Sequence, residues 1–174
     1  NNEAAISALY NKYFSFGKYK DALECANKLI ALSPSDKNYM RIVAVFDKFA
    51  DIKALRVMVE ENKLSSSVLL KIAAAYVNHA FVDDALNLLE HIEYSEEKSA
   101  LQALIYFNKN DLTAARELVM PLNLETVDVL NLKGLFFIED MKFVDAVKCF
   151  SKAVSLEPVN PKYYFNLANA NFYN

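Results

Sequence analysis

At 174 residues the chain is long enough to bury a sizeable core, and its net charge of −3, with both signs interspersed, excludes the basic footprint of a nucleic-acid binder. Hydrophobic residues make up 54%, yet there are only 2 Gly and 4 Pro, too little turn chemistry for an all-β sandwich or barrel. No apolar run approaches the ~18 residues needed to span a bilayer, so an all-helical protein with no direct membrane insertion is expected.

Apolar spacing predicts helices over about 3–15, 19–32, 37–49, 51–62, 66–79, 82–93, 96–108, 112–120, 125–139, 143–156 and 161–173. In the first, Ile6, Leu9, Tyr10 and Tyr13 fall at i, i+3, i+4 and i+7, one face of a 3.6-period helix. Leu69, Ile72, Ala73 and Tyr76 repeat that spacing in the fifth. Between helices lie short polar turns. Ser35 and Asp36 are candidate N-caps, and Pro34, Pro121 and Pro158 bound helices because proline lacks an amide donor.

The stretch "GKYKDALECANKLIALSPSD" from Gly17 is nearly rewritten as "MKFVDAVKCFSKAVSLEPVN" from Met141. Each places an aromatic three residues before an alanine, Tyr19 before Ala22 and Phe143 before Ala146, and closes on Leu-x-Pro. Val82/Ala85 and Leu112/Ala115 are weaker copies of the same marker. A degenerate copy around "DIKALRVMVEE" has Ala54 or Leu55 at the marker. Taking Ala54, the markers are spaced by 32, 31, 30 and 31 residues. Five repeats follow, over about 3–36, 37–65, 66–95, 96–124 and 125–160, with a lone helix at 161–173. The chain does not begin with Met and is expected to be a piece of a longer protein.

This unit resembles the tetratricopeptide repeat (TPR). It has small residues at the family's eighth position (Ala73, Ala103, Gly134), bulky ones at the eleventh (Tyr13, Tyr76, Tyr106, Phe137) and alanine at the twentieth (Ala22, Ala85, Ala115, Ala146). The resemblance covers essentially the whole chain. It implies an all-α fold, an α-solenoid wound as a right-handed superhelix of about five and a half antiparallel helix-turn-helix repeats. Departures are a central period near 31 against the family's ~34, a large Tyr10 at the eighth position, and no glycine at most helix-helix turns. Shortened loops are the expected consequence.

Nothing in the pattern supplies catalysis. His79 and His91 complete no metal-ligand spacing and no nucleophile motif. The acid pairs Glu60–Glu61, Asp83–Asp84 and Glu96–Glu97 fall at helix ends, where capping explains them. Two glycines cannot build a phosphate loop. Cys25 and Cys149 are read as small apolar packing residues of a reducing compartment. The expectation is a non-enzymatic, cytoplasmic protein with no cofactor, no metal and no nucleic-acid partner.

In TPR arrays the first helix of each repeat lines a concave groove that binds a protein or peptide. The resemblance carries that role to Asn11, Phe14, Arg41, Lys48, Phe49, Asn78, Phe107, Asn108, Asn131 and Asn169. A chaperone-type carboxylate clamp is not implied, since Ser7 stands where its first lysine belongs. Two alternatives accompany the interaction module: the substrate-recruiting arm of a larger bacterial enzyme, such as a glycosyltransferase or methyltransferase, and a self-assembling structural protein. The last helix is so rich in apolar side chains that a homo-oligomer contact through Tyr163, Tyr164 and Phe172, or cover by further residues, is expected.

Overall fold

A computed structural model describes residues 2–174. Among them lie eleven α-helices and no strand: α1 (Asn2–Ser15), α2 (Tyr19–Leu32), α3 (Asp36–Phe49), α4 (Ile52–Glu61), α5 (Ser66–Asn78), α6 (Val82–Glu90), α7 (Glu96–Asn108), α8 (Leu112–Val119), α9 (Val127–Glu139), α10 (Phe143–Leu156) and α11 (Pro161–Tyr173). They form two compact units, one ending at Glu93 and one spanning Tyr94–Asn174. In the first, α1 packs on α2, α2 on α3, α3 on α4 and α5, and α5 on α6. In the second, α7 packs on α8, α9 on α7, α8 and α10, and α11 on α10 and α9. None of these helices is long and apolar enough to cross a membrane.

One turn is used five times. The first helix of each repeat ends in a residue with left-handed backbone: Gly17 (φ 70), Ala50 (φ 53), Ala80 (φ 63), Asn110 (φ 62) and Met141 (φ 58). The amide of the following residue donates back across the turn: Lys18 to the Tyr13 carbonyl, Asp51 to Phe46, Phe81 to Tyr76, Asp111 to Tyr106 and Lys142 to Phe137. This is a Schellman closure, and it satisfies carbonyls that the helix end would leave bare. A side chain in this backbone region costs about 1 kcal/mol, and the paired hydrogen bonds hold the turn in spite of it. The missing glycines therefore leave the turn unaltered.

The short central period comes from the helices and not from the loops. The second helices α4, α6 and α8 have 10, 9 and 8 residues, whereas α2 and α10 have 14. The connection from α8 to α9 is in fact the longest in the chain, because Thr126 caps α9 at the Val129 amide and delays its start to Val127.

The fourth residue of each second helix defines the register. It is Ala22, Leu55, Ala85, Ala115 and Ala146, and every one of these is fully buried. Leu55, not Ala54, thus holds the marker, and the spacings become 33, 30, 30 and 31. Leucine is bulkier than the alanine used elsewhere, and α3 and α4 are the most loosely paired helices of any repeat. Capping also differs from expectation at α3: Ser35 takes the N-cap position without a side-chain bond, and Asp36 accepts from the Ser65 and Ser67 hydroxyls at 2.6 and 2.9 Å.

A tight contact lies in the second unit. A Cβ built on Gly134 would come within 2.6 Å of the fully buried Phe150 ring, so α9 and α10 meet there at a distance only glycine allows. Gly134→Ala is expected to destabilise the chain by about 1–3 kcal/mol, read as a lower denaturation midpoint. At the turns the sign depends on the residue. Gly17→Ala should cost about 1 kcal/mol, and Met141→Gly, at an exposed side chain, should gain about 0.5–1 kcal/mol; equal midpoints for the two variants would contradict the backbone account.

Candidate partner-binding faces

The repeated turn sets equivalent side chains on equivalent rungs. Two residues before the left-handed position stand Ser15, Lys48 and Asn78 in the first unit, and Asn108 and Glu139 in the second; all are exposed. Three residues before it stand Phe14, Asp47 and Val77, then Phe107 and Ile138; all are half-buried. Each first helix therefore ends in a polar side chain flanked by a partly exposed one, which is apolar in four of the five repeats.

In the first unit, Phe14 and Phe49 meet through Tyr19. Ring centroids run Tyr10 to Phe14 at 5.7 Å, Phe14 to Tyr19 at 5.4 Å and Tyr19 to Phe49 at 5.7 Å, the last two edge to face. Arg41 is engaged within its own unit. Its guanidinium lies 5.2 Å from the centre of the Tyr10 ring, and Nη1 donates to Asn38 Oδ1 at 2.7 Å. The register explains this, since with Leu55 as marker Arg41 falls beside the α1 contact. Asn38 itself is buried and donates to the carbonyls of Leu29 and Ser33, so a polar side chain stitches the end of α2 to α3. Asn11, Lys48 and Asn78 are exposed. His79 binds the Asp47 backbone oxygen through Nε2 at 2.8 Å, which fixes the end of α5 against α3.

In the second unit, Asn108 and Asn169 are exposed, whereas Phe107 sits edge-on to Phe136 at 6.2 Å and belongs half to the core. Asn131 is buried and accepts from Asn166 Nδ2 at 2.8 Å, so it ties α9 to α11 and offers nothing to a partner. Tyr163 is buried too, packed with Leu130 and Ala153, and is no contact residue for a second copy in this arrangement. Tyr164 and Phe172 are exposed.

Arginines act as internal braces. Arg56 on α4 grips Asp84 on α6 with Nε and Nη2 at 2.8 and 2.6 Å. Arg116 on α8 reaches Glu139 at 2.7 Å and Asp140 at 2.9 Å, and its hydrogen bond holds the Asp140 carboxyl below the ordinary carboxylate range. Sequence reasoning missed these pairs because they join residues 23 to 28 apart.

It also missed a cleft of about 490 Å³ over α3, between α2 and α4. Ile30, Ile42, Phe46, Val57 and Met58 line it, with Tyr39 and Asn62 joined across one end by a 3.3 Å hydrogen bond. It lies beside the loosely paired α3 and α4, and the one foreshadowing signal was the leucine at an alanine position. No group of three or more His, Cys, Asp or Glu side chains among the described residues is placed to hold a metal.

Helix pairs joined by one repeated turn, and packed on their sequence neighbours within each unit, define a helical-repeat protein of the α-solenoid class. More particularly, the fold is that of the tetratricopeptide repeat. A thermophilic TPR protein of Thermus thermophilus superposes with a TM-score of 0.65 at 14% identity, over 98% of this chain and 99% of that one. YrrB, described as a TPR protein with an unusual peptide-binding site, superposes with a TM-score of 0.51 at 16% identity, over 95% and 92%. In sequence, the tetratricopeptide repeat protein 30 homolog of Drosophila melanogaster is 25% identical across 99% of this chain. The chain spans 23% of that relative's length. No family model matches the chain.

Burial raises the pKa of several groups, among them the phenols of Tyr10, Tyr76 and Tyr163. The Tyr76 phenol, enclosed on α5 and near the Asp84 carboxylate, is pushed up to about 12, chiefly by desolvation. The folded chain then keeps a proton that the unfolded chain releases near the ordinary value of 10. Stability is intact below that pH and falls as pH rises from about 10 towards 12. Tyr76→Phe should make this alkaline limb shallower in denaturation curves, with the remainder carried by Tyr10 and Tyr163, and leave the behaviour near neutrality unchanged.

Proposed function

We propose that the chain is a non-enzymatic interaction module that takes an extended peptide or partner segment along the face of its first helices. One observation carries this reading. In four of the five repeats the same turn geometry sets a partly exposed apolar side chain beside an exposed polar one: Phe14 with Ser15 and Val77 with Asn78 in the first unit, Phe107 with Asn108 and Ile138 with Glu139 in the second.

Apolar rungs suit alternate side chains of an extended strand, and amide side chains suit its backbone groups, which would otherwise be desolvated without partners. Val77 and Asn78 are the sharpest pair in the first unit, and Asn108 with Phe107 in the second. Glu139 is committed to Arg116 and contributes less. The likeness to YrrB, itself described by a peptide-binding site, supports the class of ligand.

Peptides selected from a random display library against the whole chain provide the probe. Calorimetric titration with such a peptide should show affinity reduced about tenfold or more by Val77→Asp. The double variant Asn78→Ala/Asn108→Ala should weaken binding while leaving far-UV circular dichroism unchanged. Peptides that bind both variants as tightly as the parent chain would place the binding surface elsewhere.

A further inference from the structure

The second repeat breaks the pattern of the rungs. Where the other four repeats set an apolar side chain three residues before the left-handed position, α3 sets Asp47, and the exposed residue beside it is Lys48. Asp47 is engaged elsewhere. Its carboxylate lies 3.2 Å and its backbone oxygen 2.8 Å from His79 Nε2, on the side of α3 that meets α5. Among the described residues Lys48 makes no ion pair.

Lys48 is one of three cations on a single stripe of α3. Lys37 and Arg41 are four residues apart and Lys37 and Lys48 eleven, which places all three within about 40° around the helix. The two acids of α3, Asp36 and Asp47, share a second stripe roughly 100° away. Both are taken up from the side of α5, Asp36 by the hydroxyls of Ser65 and Ser67 and Asp47 by His79. Arg41 meets only neutral groups, the Tyr10 ring and the Asn38 amide oxygen. The cationic stripe therefore has no internal counter-ion.

Charge in the first unit is divided in the same sense. Its first helices, α1, α3 and α5, carry five basic side chains against three acidic, and its second helices, α2, α4 and α6, carry four against seven. The second unit has no such division, since its first helices carry three basic side chains against four acidic. In a chain of net charge −3, the first helices of the first unit are the place where negative charge is attracted.

A segment that follows the rungs from Phe14 to Val77 crosses α3 at Lys48. A basic side chain there would be repelled, and an apolar one would strip water from the ammonium without replacing it. A carboxylate satisfies it, and such a pair at a solvated rim sets register and choice of partner more than raw affinity. A nucleic acid would need cations repeated along its path, and α1 and α5 carry one each, Lys12 and Lys71. Building on the groove reading above, we propose that the segment taken by the first unit is acidic: an extended peptide that sets an Asp or Glu side chain over Lys48, between apolar side chains at the Phe14 and Val77 rungs.

Peptides selected from a random display library against the whole 174-residue chain test this, resynthesised with acetylated and amidated ends so that side chains supply the only carboxylates. The selected sequences should be enriched in Asp and Glu over the library. Replacing those acids by Asn or Gln should lower affinity at least about fivefold, and raising NaCl from about 50 to about 300 mM should lower it comparably. Lys48→Glu should weaken the acidic peptides at least about fivefold and leave their Asn or Gln versions unaffected, with far-UV circular dichroism unchanged. Lys53→Glu, at an exposed lysine of α4, should alter neither. Selection without acidic enrichment, acids whose replacement leaves affinity unchanged, or equal losses in Lys48→Glu and Lys53→Glu would overturn the proposal. If Val77→Asp still weakens binding in those cases, the groove stands and only its acidic preference falls. A library that yields no peptide removes the groove reading and this one with it.

Discussion

Every repeat depends on a backbone turn that reverses the chain in three residues or fewer between helices. One residue goes left-handed, two amides return to the carbonyls of the first helix, and the next residue already starts the second. The turn fixes how the second helix leaves the first, and that geometry carries the fourth residue of the second helix into the contact. A small residue there lets the helices touch, which is why alanine recurs in four of the five repeats. A protein with two glycines can run this device five times because the hydrogen bonds outweigh the backbone cost.

Where the device is altered, the fold responds locally. Leu55 replaces alanine in the second repeat, the α3–α4 pairing loosens, and an apolar cleft lies over α3. Arg56 bridges the same α4 outward to Asp84 on α6, so the loosely held helix is braced from its other side. In the second unit the opposite limit is reached, since Gly134 lets Phe150 fill the contact completely. A repeat architecture tolerates both extremes because each pair answers chiefly to its neighbours and not to one shared core.

The turn also links fold to proposed binding. Side chains two and three residues before each left-handed position are set by the same hydrogen bonds in every repeat, so their spacing follows the spacing of the helices. Several other polar groups are engaged internally: Arg41 on Tyr10 and Asn38, Arg116 on Glu139 and Asp140, Asn131 on Asn166. The outer face of α11, uncharged and aromatic, is a surface of a different chemistry from the mixed amide and apolar rungs.

Helix count, helix type and the repeat itself were legible in the sequence, because 3.6-residue apolar spacing and the Tyr19/Ala22 and Phe143/Ala146 markers are local signals. The family resemblance rested on the same residues. Tertiary structure alone decided the rest. Ala54 and Leu55 are adjacent and both apolar, and only the depth of burial tells which one meets α3. Asn131 and Asn169 look alike in sequence, yet one is buried against Asn166 and the other is open to solvent. Tyr163 and Tyr164 are neighbours on one helix, and the 100° between them separates core from surface. Local pattern determines that a helix forms and where its apolar stripe runs. Which edge of that stripe is covered depends on a neighbour many residues away in the chain, and packing alone supplies that.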